Sequence, residues 1–202
     1  GRPLPGCALE VRDPHGRALP ERRVGRVFVR GPNVMAGYFG DAEATAAVLS
    51  DDGWLDTGDL GYMVDGALVV TGRHKDLIIV NGRNIWPQDI EWAVESLPGL
   101  RHGDVAALSV PGDDGEERVV VLTQCRSGDA DVRDELTRQI KGAVRQAVGI
   151  ECTPVLVPPR SLPKTSSGKL SRARARQLYL AGAFEGAERT RPGASASPEQ
   201  VG

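Results

Sequence analysis

Residues 71–91 read TGRHKDLIIVNGRNIWPQDIE, and three structural signals follow one another within them. LIIV at 77–80 is a run of strand formers. It enters Asn81-Gly82, the strongest short hairpin signal, because both residues tolerate positive φ. Pro87 then stands at a plausible first helical position with Asp89 in the first turn, and both favour a helix N-terminus. Ile90, Ala93, Val94 and Leu97 fall on one helical face, and Pro98-Gly99 stops the helix. The texture changes here from β-rich to mixed α and β.

Upstream, GCALEVRDPHGRALP at 6–20 alternates apolar and polar residues and turns at Asp13 to Gly16. GRVFVRGP at 25–32 and ALVVTG at 67–72 read as strands, and 41–49 as a short helix. Downstream, strands are expected at VAALSV (105–110) and VVVLTQC (119–125). A helix at 131–148 carries the stripe Val132, Leu136, Ile140, Val144 and Ala147, with Gly149 as its stop. VLVPP at 155–159 is a last strand, and a helix at 171–181 follows the PKTSSGK segment. Residues 185–202 are small, polar and aperiodic, the composition of a disordered tail or linker. The organisation is a β-rich piece (1–73), a compact α+β domain (74–184) and that tail.

Bulk properties exclude several classes. Of 202 residues, 40% are hydrophobic and 26% charged, with a formal net charge of −2. That balance gives no general electrostatic reason to expect nucleic acid or an anionic membrane as partner. No apolar run approaches the roughly 20 residues a transmembrane helix needs. Cys7, Cys125 and Cys152 are odd in number and far apart, which points to a reducing cytosolic setting. The N-terminus has neither an initiator Met nor a secretion-signal pattern, and reads as mid-protein sequence.

Four segments carry candidate chemistry: residues 25–45, WLDTGDLG at 54–61, residues 71–91 and LPKTSSGKLSR at 162–172. Asp59 offers a carboxylate able to accept hydrogen bonds from adjacent hydroxyls such as those of a ribose. The competing reading is a turn aspartate holding its own backbone. Arg73 offers a planar donor fork and Lys75 a mobile point charge. Together they suit either a solvated turn or a hinge. PKTSSGK is not a Walker A loop, because Pro163 stands where Gly is needed and Leu170 where Ser or Thr is needed. What remains is a small, flexible, hydroxyl-rich loop ending in Gly168-Lys169. Such a loop can carry an ammonium group to a phosphoryl centre; the alternative is an ordinary surface lysine. His15, His74 and His102 have neither metal-ligand nor triad spacing. Arg172, Arg174 and Arg176 read as a solvated helix face.

Taken in this order and spacing, the four segments resemble the acyl- and aryl-adenylating superfamily of acyl-CoA synthetases, nonribosomal peptide adenylation domains and firefly luciferase. The 71–91 segment looks most like fatty acyl-AMP ligases, although its aromatic residue is Trp86 where Tyr is more usual. The resemblance implies ATP- and Mg2+-dependent formation of a fatty acyl-AMP. The acyl group then passes to the phosphopantetheine thiol of an acyl carrier protein, or to coenzyme A if the chain derives from an acyl-CoA synthetase. A non-catalytic carrier-docking module is a further alternative.

By motif, the resemblance implies that Asp59 and Arg73 bind ATP or AMP. Lys169 contacts the α-phosphate and the substrate carboxylate, Lys75 is the hinge and Gly82 lies on the pantetheine path. It also implies that 1–73 is the last β-rich, distorted-barrel subdomain of a large N-terminal domain and 74–184 the complete small C-terminal domain. The ATP loop and acyl pocket would lie upstream of Gly1, so this fragment alone is expected to be inactive.

Overall fold

The computed structural model describes residues 1–112 and 116–184. The tail expected at 185–202 lies outside them. The chain divides into two compact units, Gly1–Leu77 and a second beginning at Ile78.

The first unit is built on four antiparallel strands in sequential order: β1 (Ala8–Arg12), β2 (Gly25–Arg30), β3 (Leu55–Val64) and β4 (Ala67–Arg73). The β-rich piece expected from sequence is this four-stranded sheet. Asp13 shapes the turn after β1, its Oδ1 accepting from the backbone N–H groups of His15 and Arg17 at 2.8 and 3.0 Å. The short helix expected at 41–49 is confined to α1 (Ala42–Ala46), capped by the Asp41 side chain. It ends there because Leu49 turns to pair with Leu55 and Asp56 N–H donates to Val48 O. Trp54 is buried between the guanidinium groups of Arg12 and Arg30, 4.7 and 4.8 Å from its ring.

β3 was not expected from sequence. Thr57, Gly58 and Asp59 all lie opposite one residue of β2, because Arg26 pairs with Leu60 while Phe28 pairs with Asp56. This bulge interrupts the alternation that marks a strand. At Gly61 the neighbouring backbone comes so close that a Cβ would lie 2.6 Å from Val69 O, so no larger residue fits.

The second unit opens with the hairpin β5 (Ile78–Val80) and β6 (Arg83–Ile85), followed by α2 (Pro87–Glu95). Its sheet has the order β7 (Val105–Pro111), β8 (Glu117–Gln124), β9 (Thr153–Val157). β7 and β8 are antiparallel; β8 and β9 are parallel, joined through α3 (Ala130–Val148). The chain then reaches α4 (Arg172–Leu180). Both faces of the sheet are covered, which is why the strands read as near-continuous apolar runs. Val105, Ala107, Val119, Val121 and Leu156 pack with Ile90 and Val94 of α2 and Ile140 and Val144 of α3. The alternate residues Ala106, Leu108, Val110, Val120, Leu122, Val155 and Val157 pack with Leu162, Ala175 and Phe184.

α3 starts at Asp129, whose side chain accepts from Asp131 and Val132 N–H, and ends at Gly149 with φ 69°. Its inward stripe is narrower than the sequence suggested. Leu136, Ile140 and Val144 face the core, whereas Val132 and Ala147 are exposed and Ala143 and Val148 pack in their stead.

Candidate functional site

The candidate residues lie on three features, taken here within their own units. In the first unit, Asp59 of β3 sits directly across from Arg73 of β4. Their side chains form an ion pair, Arg73 Nε to Asp59 Oδ1 at 3.1 Å, with the guanidinium mostly exposed. The bulge is held by Thr57, whose hydroxyl donates to Val27 O at 2.9 Å and accepts from Asp59 N–H at 3.1 Å. The acid that holds the turn backbone is Asp56, which accepts from Gly58 N–H at 2.9 Å and pairs with Arg26. Asp59 keeps its carboxylate for side-chain chemistry. Lys75 is exposed in a single 3-10 turn, His74–Asp76, that follows β4.

In the second unit, Asn81 and Gly82 form the two-residue turn between the paired residues Val80 and Arg83. Their φ values of 52° and 70° are both positive, as a type I′ hairpin requires. No atom lies within 4 Å of a Cβ built on Gly82, so this glycine serves conformation, not close packing within the unit. The next residue, Arg83, donates from Nη2 to Val148 O at 2.9 Å and from Nη1 to Gly149 O at 3.5 Å. A cation placed on the last carbonyls of α3 also suits the negative end of its dipole.

Lys169 stands on a second hairpin, which corrects the expectation of a loose loop at 163–169. Lys164 pairs with Leu170; Thr165 N–H donates to Lys169 O at 2.7 Å and Gly168 N–H to Thr165 O at 2.9 Å. Gly168, at φ 79°, supplies the left-handed residue that closes this three-residue turn. The Thr165 hydroxyl accepts from Lys169 N–H at 3.2 Å and lies 3.0 Å from the Ser167 hydroxyl. The hydroxyl residues therefore brace the turn. The Lys169 side chain is exposed and makes no hydrogen bond or ion pair among the described residues.

Three residues beyond Lys169 lies a pair that sequence reasoning missed. Arg172 donates to both oxygens of Glu91, Nε to Oε1 at 2.8 Å and Nη2 to Oε2 at 2.6 Å. Glu91 Oε1 also accepts from Ala107 N–H at 3.1 Å. Ala107 is on β7, an edge strand, so the pair closes an outward backbone group. Arg176 does the same for Ser109 O at 2.7 Å. Two of the three arginines expected on a solvated face are therefore structural, and Arg174 alone is exposed. Burial pushes the Glu91 carboxyl up from its ordinary value, against the opposing pull of Arg172 and the Ala107 N–H. The signal available in sequence was helical spacing: Pro87, Ile90, Glu91 and Val94 share the buried face of α2. A partner 81 residues away was not legible.

No family model matches the chain. Sequence relatives and solved structures converge on one class. A putative acyl-CoA synthetase of Caulobacter vibrioides is 54% identical over 185 residues, covering 91% of this chain and 32% of that protein. JamA of Moorena producens, a medium-chain-fatty-acid–[acyl-carrier-protein] ligase, is 37% identical over 199 residues, covering 92% and 33%. A structure from the fatty acyl-adenylate ligases of E. coli and L. pneumophila superposes with a TM-score of 0.81 at 42% identity, covering 91% and 32%. The fold is that of the C-terminal region of an adenylating enzyme. The chain belongs to the acyl-adenylating superfamily and spans about a third of the length of these relatives.

Proposed function

We propose that this chain is the C-terminal part of an ATP-dependent fatty acid ligase that forms an acyl-AMP and transfers the acyl group to the phosphopantetheine thiol of an acyl carrier protein. The observation that carries the reading is Lys169: an exposed ammonium without a side-chain partner among the described residues, on a hydrogen-bonded hairpin, in a chain of this superfamily. ATP, when bound, supplies the α-phosphorus that the fatty acid carboxylate attacks as pyrophosphate leaves. Lys169 neutralises charge developing on the phosphoryl oxygens and orients the carboxylate. Asp59 accepts from the ribose hydroxyls, and Arg73, beside it, adds a donor fork to ribose or phosphate. These acceptor and donor sets fit a nucleotide. Mg2+ belongs to the proposed reaction, but no three His, Cys, Asp or Glu among the described residues are grouped to hold a metal ion. Lys75 is the proposed hinge and Gly82 the turn beside the pantetheine path in the second step. There the thiol sulfur attacks the acyl carbonyl, AMP leaves and the thiol proton is lost.

An acyl-CoA synthetase is the second reading, favoured by the Caulobacter relative. The test uses the full-length gene product with acyl adenylate and either carrier protein or coenzyme A. Transfer to the carrier protein at least tenfold faster supports the proposal; preference for coenzyme A overturns the acceptor assignment. The 202-residue chain alone is expected to give no pyrophosphate exchange.

A further inference from the structure

Lys169 can act only if its hairpin is held in place, and the structure identifies the two feet. On the incoming side Leu162 is buried against β7, β8 and β9. On the outgoing side Leu170 packs into the same cluster, Ser171 N–H donates to Pro163 O at 3.0 Å, and α4 begins at Arg172. The apolar contacts fix depth but not rotation, because dispersion is non-directional. Rotation is fixed by the planar fork of Arg172 on Glu91, whose two parallel bonds define a plane. Glu91 is itself immobilised from two directions, being buried on α2 and bonded to the β7 edge at Ala107. A path of three residues therefore connects the reactive ammonium to a pair spanning α2, β7 and α4.

We infer that Glu91 and Arg172 are positioning residues for Lys169, setting the orientation of its hairpin and thereby the adenylation step specifically. The inference rests on the adenylation role proposed above. Neither residue needs to touch substrate. Glu91→Gln keeps the size and the acceptor for Ala107 N–H but loses the charge that grips the fork. Arg172→Lys keeps the charge but loses the planar geometry.

Two measurements test this. In the full-length protein, Glu91→Gln and Arg172→Lys should lower the adenylation kcat about tenfold with little change in the KM for fatty acid. Transfer from supplied acyl adenylate should stay within about twofold. Ile140→Val, a core change in the same unit, serves as a stability control and should lower neither selectively. In the 202-residue chain, amide hydrogen exchange at Gly168 and Lys169 should speed up in Glu91→Gln, while the β5–β6 hairpin amides stay at their wild-type rates. Equal loss of both half-reactions, or unchanged exchange at Gly168 and Lys169, overturns the inference. If Lys169→Ala leaves adenylation intact, the functional reading fails; the exchange result still decides whether the pair holds the hairpin.

Discussion

Two hairpins of the second unit carry candidate site residues, Gly82 and Lys169, and they are built differently. The Asn81-Gly82 turn is the tightest two-residue form, anchored by Arg83 on exposed carbonyls at the end of α3. The turn at 165–169 is longer, braced by hydroxyls, and rooted in a buried ion pair and an apolar cluster. Surface contacts of the first kind contribute little each. A buried charge pair of the second kind is costly to break on one side. The difference teaches which hairpin is tied more firmly into the fold: the one carrying Lys169, for which we propose contact with a phosphoryl oxygen. The role proposed for Gly82, beside a thiol path, has a looser requirement, namely space.

The largest effect that sharpens this contrast is expected at Lys169. Lys169→Ala should lower acyl-adenylate formation by about 10²–10³-fold, the range for removing a group that stabilises transition-state charge. Pyrophosphate exchange measures it. Gly82→Ala should act on the opposite step. A side chain at positive φ costs about 1–2 kcal/mol, so transfer should slow by up to about five- to thirtyfold while adenylation holds. A matching loss of adenylation would show that the two hairpins do not divide the work.

The smallest effect on the balance between steps is expected at Asp104. This buried acid accepts from Arg126 at 2.8 and 3.2 Å, from Gln124 Nε2 at 2.9 Å and from Arg101 N–H at 3.0 Å. Burial pushes its carboxyl up, but the Arg126 guanidinium and the other donors outweigh that and leave it below the ordinary value. A lowered native value means that its stabilisation is present above the unfolded carboxylate range and is lost as pH falls through the native value. Asp104→Asn should flatten the acid limb of a stability–pH curve and cost on the order of 1–3 kcal/mol at neutral pH. The ratio of the half-reactions should not move. Glu91 tilts the other way: its raised value makes its contribution fullest at low pH and lost as pH rises through the native value.

Much of the second unit was legible. The Asn81-Gly82 turn, the Pro87 start, the Gly149 stop and the continuous apolar strands follow from local conformational preference and double-sided burial. β3 was hidden, because its bulge at 57–59 breaks the period on which strand recognition depends. Asp59 was recognised as a side chain of interest, but its pairing with Arg73 depends on strand register. Glu91 draws no notice in the sequence, and Arg172 reads there as solvated, for a different reason. A charged residue on an amphipathic helix is usually solvated, and only the fold reveals that Glu91 is buried with a half-buried Arg172 against it.

The central claim is that Lys169 serves the first half-reaction and not the second. The direct measurement supplies the full-length Lys169→Ala protein with preformed fatty acyl-AMP and carrier protein, and follows acyl transfer. Transfer within about threefold of wild type, in a protein unable to exchange pyrophosphate, is the predicted result. Transfer impaired as severely as adenylation would contradict it.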